Sequence, residues 1–282
     1  MRFFKNIFFF TIIIYSNSLF CQESNNLELE LLKESYSQNN IQLLNNFFEN
    51  WEKKSKPINK KEFEQLSKVH QLTYSLFKEF YSPFGISEDD IPEDAYGLNL
   101  SKDSLEYLYL PYKYCEYIVI QNYIRVGIIN NFHKAFRSDF GLYDKEDVIY
   151  DSITNFRPPI LIKDKKTLFL SFNDQFLIEE FVLDSLNHLS GNDKNIMEKY
   201  NRFYELSYER LDFLRPKIGV MHGHWGGIHA LTLPSISLII FNEGLWLAKI
   251  HYRNTWCTGG EALYFRLGNK WFKLLKRQSW IE

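Results

Sequence analysis

Apolar residues recur every three or four positions in five stretches of the chain, which is the spacing of a helix with one buried face. Three of these stretches follow one another in the first third of the sequence and predict a helical layer. The other two come directly before a region of different periodicity. The predicted helices cover residues 24–38, 41–52, 60–81, 175–188 and 193–214.

The period of the pattern changes to two after residue 217, which is typical of strands with one buried face. Short glycine- and asparagine-containing segments separate the alternating stretches, as in hairpins. We therefore expect an antiparallel meander. Its predicted strands cover residues 218–224, 230–242, 245–254, 261–267 and 270–281.

Earlier segments add strands and complete the fold class. Aromatic and β-branched residues crowd residues 105–129 and predict two strands that break near Pro111. Residues 130–160 lack a clear period and are predicted to be loop with one short helix, whereas 167–171 form a compact strand. The expected fold is α+β, with an N-terminal helical layer and a C-terminal twisted antiparallel β-meander packed by helices.

The domain prediction has three parts. Residues 1–21 are assigned to a signal peptide, 22–160 to a helical region with one or two strands, and 161–282 to an α+β domain ending in the antiparallel sheet. One alternative stays open, because the early strands could join the later sheet and make a single domain.

The first residues have the three parts of a secretory signal. Two cations, Arg2 and Lys5, precede an apolar run over 7–15 and a polar stretch over 16–18. We expect cleavage between Cys21 and Gln22, a periplasmic or extracellular protein, and no transmembrane span afterwards. Lipid attachment at Cys21 is the alternative.

Charge and cysteine content bear on the possible partners of the protein and on its disulfide bonding. The chain has 33 cations and 35 acids, and loss of Arg2 and Lys5 leaves 31 against 35, a net charge of −4. This mild balance argues against nucleic acid as a partner. Cys115 and Cys257 remain after cleavage, and an oxidising compartment could join them in a disulfide. A buried, reduced cysteine is equally compatible with the sequence.

Residues 220–229 hold three of the seven histidines. His222 and His224 are two apart, so on a strand they would face the same side and could share a metal such as zinc, with His229 as a third ligand. Paired histidines at a strand end can also simply hydrogen-bond to backbone and water. We expect the pair Gly226 and Gly227 to adopt a positive φ in the turn that follows.

A second candidate site lies on the predicted meander. Alternation puts Trp246, Ala248, Ile250 and Tyr252 on the core face, and Leu247, Lys249, His251 and Arg253 on a polar, partly open face. With Glu261 of the next strand, and with His222, His224, Trp225 and His229, these polar groups could hold an acidic or sugar ligand. The alternative is a solvated sheet face with cross-strand charge pairs.

The sequence contains no recognisable nucleophile elbow, phosphate loop or metalloprotease motif. It therefore favours an exported cell-envelope protein that binds a ligand or another protein without catalysis and without a cofactor. The alternative is a hydrolase-type or isomerase-like enzyme that uses the histidine cluster, with or without metal.

Several segments resemble a group of exported, functionally uncharacterised proteins of Bacteroidetes-type bacteria. They are His224-Trp-Gly-Gly227 with His229, Ile239-Ile-Phe-Asn242, Ala248-Lys-Ile-His-Tyr-Arg253, Gly259-Gly-Glu-Ala262, Trp271 and Trp280-Ile-Glu282. The resemblance implies export and carries over no catalytic residue. The order of helices and meander is also similar to the cone-shaped α+β fold of ketosteroid-isomerase relatives, a likeness of architecture alone.

Overall fold

The computed structural model describes residues 27–83, 113–137, 147–183, 196–223, 227–254 and 258–281. Within them the chain combines helices with a mostly antiparallel sheet, so the predicted α+β class is confirmed. The chain forms two compact units, Met1–Trp51 with Phe172–Phe213, and Glu52–Ser171 with Leu214–Glu282. Each unit joins two separate stretches of chain, whereas the sequence analysis drew one boundary near residue 160. The predicted signal peptide, residues 1–21, lies outside the described residues.

The helices of the described residues lie close to their predicted positions, with one exception. They are α1 (27–37), α2 (Ile41–Lys54), α3 (Lys60–Glu64), α4 (Lys68–Phe80), α5 (Phe132–Arg137), α6 (Phe172–Leu183) and α7 (Ile196–Leu214). In this part of the chain, no helix is both long enough and apolar enough to cross a lipid bilayer.

The prediction of a single helix over residues 60–81 is wrong. Asn59 and Glu62 form a reciprocal capping box that starts α3, which ends at Glu64. Ser67 then starts α4, because its hydroxyl accepts the backbone N–H of His70 at 3.2 Å. The two N-caps, Asn59 and Ser67, lie eight residues apart and start two separate helices, whereas the apolar spacing alone predicts one continuous helix.

The strands of the described residues are β1 (Tyr117–Gln121), β2 (Ile124–Ile129), β3 (Val148–Ile153), β4 (Lys166–Leu170), β5 (Met221–His222), β6 (Ile228–His229), β7 (Ser235–Asn242), β8 (Leu247–Arg253), β9 (Thr258–Leu267) and β10 (Lys270–Ile281). Strand β3 lies where loop was predicted. The predicted break near Pro111 lies outside the described residues, and the chain breaks instead between β1 and β2.

The largest sheet has six strands in the order β10-β9-β8-β7-β2-β3. Strands β7 to β10 form the predicted antiparallel meander. Strand β2 joins it in parallel to β7, and β3 pairs antiparallel with β2. Of the early strands in the described residues, β2 joins the later sheet, as the alternative interpretation allowed, and β1 does not. Strands β1 and β4 make a separate parallel pair, and β5 and β6 an antiparallel one.

Helix α4 covers one face of the six-stranded sheet. Its Leu76, Phe77 and Phe80 belong to one core with Ile250 and Tyr252 of β8. Burial of Ala248, Ile250 and Tyr252 confirms the predicted core face. Trp246, however, is 52% exposed, so its assignment to that face is wrong. The backbone N–H groups of Trp246 and Leu247 both donate to the Asn242 side chain, which holds Trp246 in the turn before β8.

Charged groups fasten the end of the β1–β4 pair. The Lys166 ammonium lies 3.1 Å from a Glu52 carboxylate oxygen and 3.2 Å from a Glu116 oxygen. The Tyr117 hydroxyl donates to Glu52 at 3.0 Å. Burial, followed by the Glu52 hydrogen bond, raises the pKa of Tyr117, so this phenol stays protonated as the donor.

The helical unit has its own buried cation. Arg210 of α7 lies 5.3 Å from the ring centroids of Tyr36 and Phe181 and donates to the Phe181 carbonyl. The Tyr36 hydroxyl donates to Glu209 at 3.2 Å. A planar guanidinium suits this place, because it stacks on rings while its edge donates hydrogen bonds.

Candidate functional site

Three of the predicted site residues meet in the middle of the large sheet, on the face opposite α4. His251 of β8 lies directly across from Glu261 of β9, and Arg277 of β10 lies across from Glu261 on the other side. The Lys249 ammonium is 2.5 Å from Glu261 Oε1, and Arg277 Nη2 is 3.1 Å from Glu261 Oε2. His251 Nδ1 is 3.6 Å from Glu261 Oε1. We name Lys249, His251, Glu261 and Arg277 the polar cluster.

Three members of the polar cluster are buried, contrary to the expectation of a partly open face, whereas the Arg277 side chain is 50% exposed. Only 3% of Lys249, 5% of His251 and 5% of Glu261 is exposed. Neighbouring positions on this face form a second apolar core of Ile129, Val148, Leu238 and Ile240. The sheet is therefore covered on both sides here, which alternation along one strand does not predict.

Burial sets the charge states of the cluster. Burial, followed by the nearby Lys249 cation, lowers the pKa of His251 to about 3. His251 is thus a neutral imidazole at pH 7. The Glu261 carboxylate is the counter-charge of the buried Lys249 ammonium, and its second oxygen pairs with the exposed Arg277 guanidinium on the edge strand, so the four groups together carry one net positive charge.

Arg253 lies at the end of β8, two residues beyond His251 and on the same face of the strand. It is half-buried and stands across from Ser235 on one side and Gly259 on the other. The structure thus places it beside the polar cluster, toward the end of the sheet.

The predicted metal ligands do not all converge. In the β5–β6 pair, Met221 stands across from His229 and His222 across from Ile228. Residues that face each other share a side of the ribbon, so His222 and His229 point to opposite sides. His224 and Trp225 lie outside the described residues, and zinc binding stays a prediction. No three His, Cys, Asp or Glu side chains come together as a metal site in the described ranges.

The glycines near this ribbon act differently from the prediction. A Cβ added to Gly227 would meet no atom within 4 Å, and its φ is not in the left-handed region, so the expected need for positive φ there is wrong. Gly226 lies outside the described residues. The close approach is at Gly223 instead, where a Cβ would lie 2.5 Å from His229 Nε2. Gly223 therefore makes room for the His229 ring.

Cys115, the first partner of the predicted disulfide, is buried, and its thiol donates to the Tyr117 carbonyl at 2.9 Å. Burial raises the pKa of this thiol, so the thiolate that attacks disulfides is disfavoured. Cys257 lies outside the described residues, and the disulfide stays a prediction.

A groove that the sequence pattern does not predict lies between α3, α4 and the segment Pro158–Pro159. Its volume is about 300 Å³, near the lower limit for small-ligand sites. Most of its wall is apolar. The lining residues are Ile58, Asn59, Lys60, Phe63, Tyr74, Ser75, Lys78, Pro158 and Pro159.

Arg157 holds the walls of the groove together. Its carbonyl accepts the Ile58 N–H at 2.9 Å, and its guanidinium donates to the Lys56 carbonyl at 3.0 Å. The Arg157 N–H donates to the Tyr74 hydroxyl at 3.1 Å, while its side chain pairs with Glu62 at 3.4 Å. These bonds tie the segment before α3 to α4 and to Pro158 and Pro159.

The chemistry of the groove is apolar with positive charge. Phe63 and Tyr74 meet edge to face, with ring centroids 5.9 Å apart, and provide aromatic surface. Lys60 and Lys78 contribute to the lining, which contains no acidic residue. The arrangement suits a small apolar molecule with a negative group.

Comparisons with protein-family models, with curated proteins and with solved structures gave no match for this chain. The resemblance to exported Bacteroidetes-type proteins therefore stays a prediction. The groove and the polar cluster are therefore described from the structure of this chain, without support from related proteins.

Replacing Glu261 with Gln leaves Lys249 buried without its counter-charge, and we expect a loss of about 3–5 kcal/mol in the free energy of unfolding. Urea denaturation measures it. The matched control is Asp147→Asn, which breaks the more exposed Lys134–Asp147 pair and should cost about 1 kcal/mol or less. Equal losses in the two variants would contradict the role of Glu261 as the counter-charge of the buried Lys249.

The stability of the protein should fall on acidification because His251 resists protonation only when folded. Its pKa is about 3 in the folded chain and 6.5 ordinarily, so the unfolded chain binds the extra proton between these values. The contribution of His251 to the free energy of unfolding is fully present above pH 6.5. Below that pH it declines by about 1.4 kcal/mol per pH unit. His251→Gln should flatten this decline in denaturation series from pH 7 to 4, whereas His133→Gln, at an exposed position, should not.

Proposed function

We propose that this protein is a non-catalytic binding module whose ligand is a small, mostly apolar molecule with one negative charge. The observation that carries the proposal is the groove between α3, α4 and Pro158–Pro159, with aromatic walls and lysines but no acid in its lining. Apolar pockets with a few convergent polar groups are the usual form of a ligand site.

The size and walls of the groove restrict the ligand. About 300 Å³ accommodates one or two fused rings or a short acyl chain. Phe63 and Tyr74 favour flat or apolar groups, whereas Lys60 and Lys78 favour a carboxylate, sulfonate or phosphate.

The titratable groups of the sheet support a binding role over a catalytic one. Lys249, His251 and Glu261 are buried and neutralise one another, so their arrangement suits stability of the sheet. An enzyme built on His222, His224 and His229 stays the alternative prediction, and the opposite orientation of His222 and His229 does not favour it.

Export forms the second part of the proposal and is supported by the cation-rich start and apolar run of residues 1–21. N-terminal sequencing of protein made in a bacterial host tests it. A chain that begins at Gln22 is expected. A chain that begins at Met1 would refute export, and an acylated Cys21 would make the protein a lipoprotein.

Fluorescence titration tests the groove, with 1-anilinonaphthalene-8-sulfonate as an apolar anion and N-phenyl-1-naphthylamine as its uncharged analogue. Lys78→Gln should weaken binding of the sulfonate about two- to fivefold, the effect of one partly exposed ion pair, and leave the uncharged probe unaffected. Phe63→Ala should weaken both probes, because both lose aromatic contact.

Lys68→Gln is the matched control, since Lys68 is an exposed lysine on the same helix and does not line the groove. Its affinity for both probes should equal that of the wild type. A loss with Lys68→Gln as large as that with Lys78→Gln would show a general charge effect and would defeat the proposed site.

A further inference from the structure

One face of the β9–β10 hairpin carries large apolar side chains into solvent. Leu267 stands across from Lys270, and Phe265 across from Phe272, so these residues share that face with Leu275. The exposed fractions are 70% for Leu267, 41% for Phe272 and 48% for Leu275. We name Leu267, Lys270, Phe272 and Leu275 the hairpin face.

Phe272 of the hairpin face packs against a neighbouring ring of the same face. Phe265 and Phe272 stack with ring centroids 5.1 Å apart and planes 23° apart. Leu263 and Leu247, each half-buried, stand next to them in the register and extend the apolar area into the sheet. Exposed apolar patches of this kind mark interaction sites.

The charge of the hairpin departs from that of the chain. The hairpin, residues 258–281, contains five cations and one acid, Glu261, whereas the whole chain has a net charge of −2. Lys270 lies on the hairpin face and Arg277 is paired with Glu261, whereas the other three cations pair in the register with core residues or stand on the side of the hairpin that faces the core. A hairpin with net positive charge and one exposed apolar face, on a mildly acidic protein, is complementary to a partner that is negative and apolar. The cations are Arg266, Lys270, Lys273, Lys276 and Arg277.

We propose that the hairpin face docks on the surface of an anionic lipid bilayer. Leu267, Phe272 and Leu275 would enter the boundary between headgroups and acyl chains, as the apolar face of an interfacial segment does. Lysines keep their ammonium groups at the level of the lipid phosphates while their stems stay in apolar surroundings. Anionic lipid supplies both properties that the hairpin face complements.

The edge of the sheet favours a bilayer over an added protein strand. Strand β10 is an edge strand, but its pairing shifts between Lys273 and Leu275 and again between Gln278 and Trp280. Bulges and lysines on an edge hinder pairing with a further strand. A bilayer needs no backbone partner, so these irregularities do not hinder it.

Sedimentation of the full chain with lipid vesicles tests the proposal. We expect binding to vesicles of phosphatidylcholine with phosphatidylglycerol, little binding to phosphatidylcholine alone, and loss of binding as salt rises. Lys270→Gln should lower the partition coefficient about fivefold, and Leu267→Ser about tenfold. Circular dichroism verifies that both variants keep the fold.

Matched surface variants lie outside the hairpin. Leu161 is 97% exposed and Lys163 is exposed, so Leu161→Ser and Lys163→Gln remove an apolar and a charged side chain elsewhere. Their partition coefficients should equal that of the wild type. Every variant keeps the same N-terminal residues, so a difference in partition coefficient between variants is caused by the substituted side chain.

Three results would overturn the proposal. The first is equal binding of the wild type to both kinds of vesicle, and the second is an equal loss in the hairpin variants and the matched variants. The third is a wild type that binds neither vesicle but binds an acidic peptide such as oligoglutamate, which would assign the hairpin face to a protein partner.

Discussion

The packing of α4 on the six-stranded sheet is the interaction on which the rest of the larger unit depends. Leu76 and Phe77 are fully buried in the core shared with the sheet, while Tyr74 and Ser75 of the same helix line the groove. The Trp271 indole N–H donates to the Ser75 hydroxyl at 2.9 Å, which ties the edge strand β10 to that wall. The proposed ligand site is thus built on a rigid element that the sheet holds in place.

Burial on both faces of the sheet explains the second main feature. A charge inside such a sheet is costly unless a counter-charge and hydrogen bonds accompany it. Glu261 satisfies this condition for the buried Lys249, Arg277 is half exposed and reaches Glu261 from the edge strand, and His251 avoids the cost by remaining neutral. Toward β10 the same face opens to solvent, and there the side chains change from buried and neutralised to exposed, apolar and cationic.

Local patterns predicted the class and most elements, because apolar spacing reports which face of each element is buried. These patterns predicted the positions of α2, β4 and the meander correctly. They were wrong where a polar contact ends or begins an element, as at the Ser67 cap that divides α3 from α4. Lys249, His251 and Glu261 were correctly grouped, since strand alternation fixes their side, but alternation does not show what covers it. The groove was missed because Arg157 joins segments about a hundred residues apart.

Amide chemical-shift mapping by NMR tests the central claim most directly, namely that the groove on α3 and α4 is the ligand site. On addition of 1-anilinonaphthalene-8-sulfonate, the account predicts shifts concentrated in residues 58–63 and 74–78 and at Arg157, with saturation at one equivalent per chain. Shifts confined to β9 and β10, or to the neighbours of His222 and His229, would contradict it.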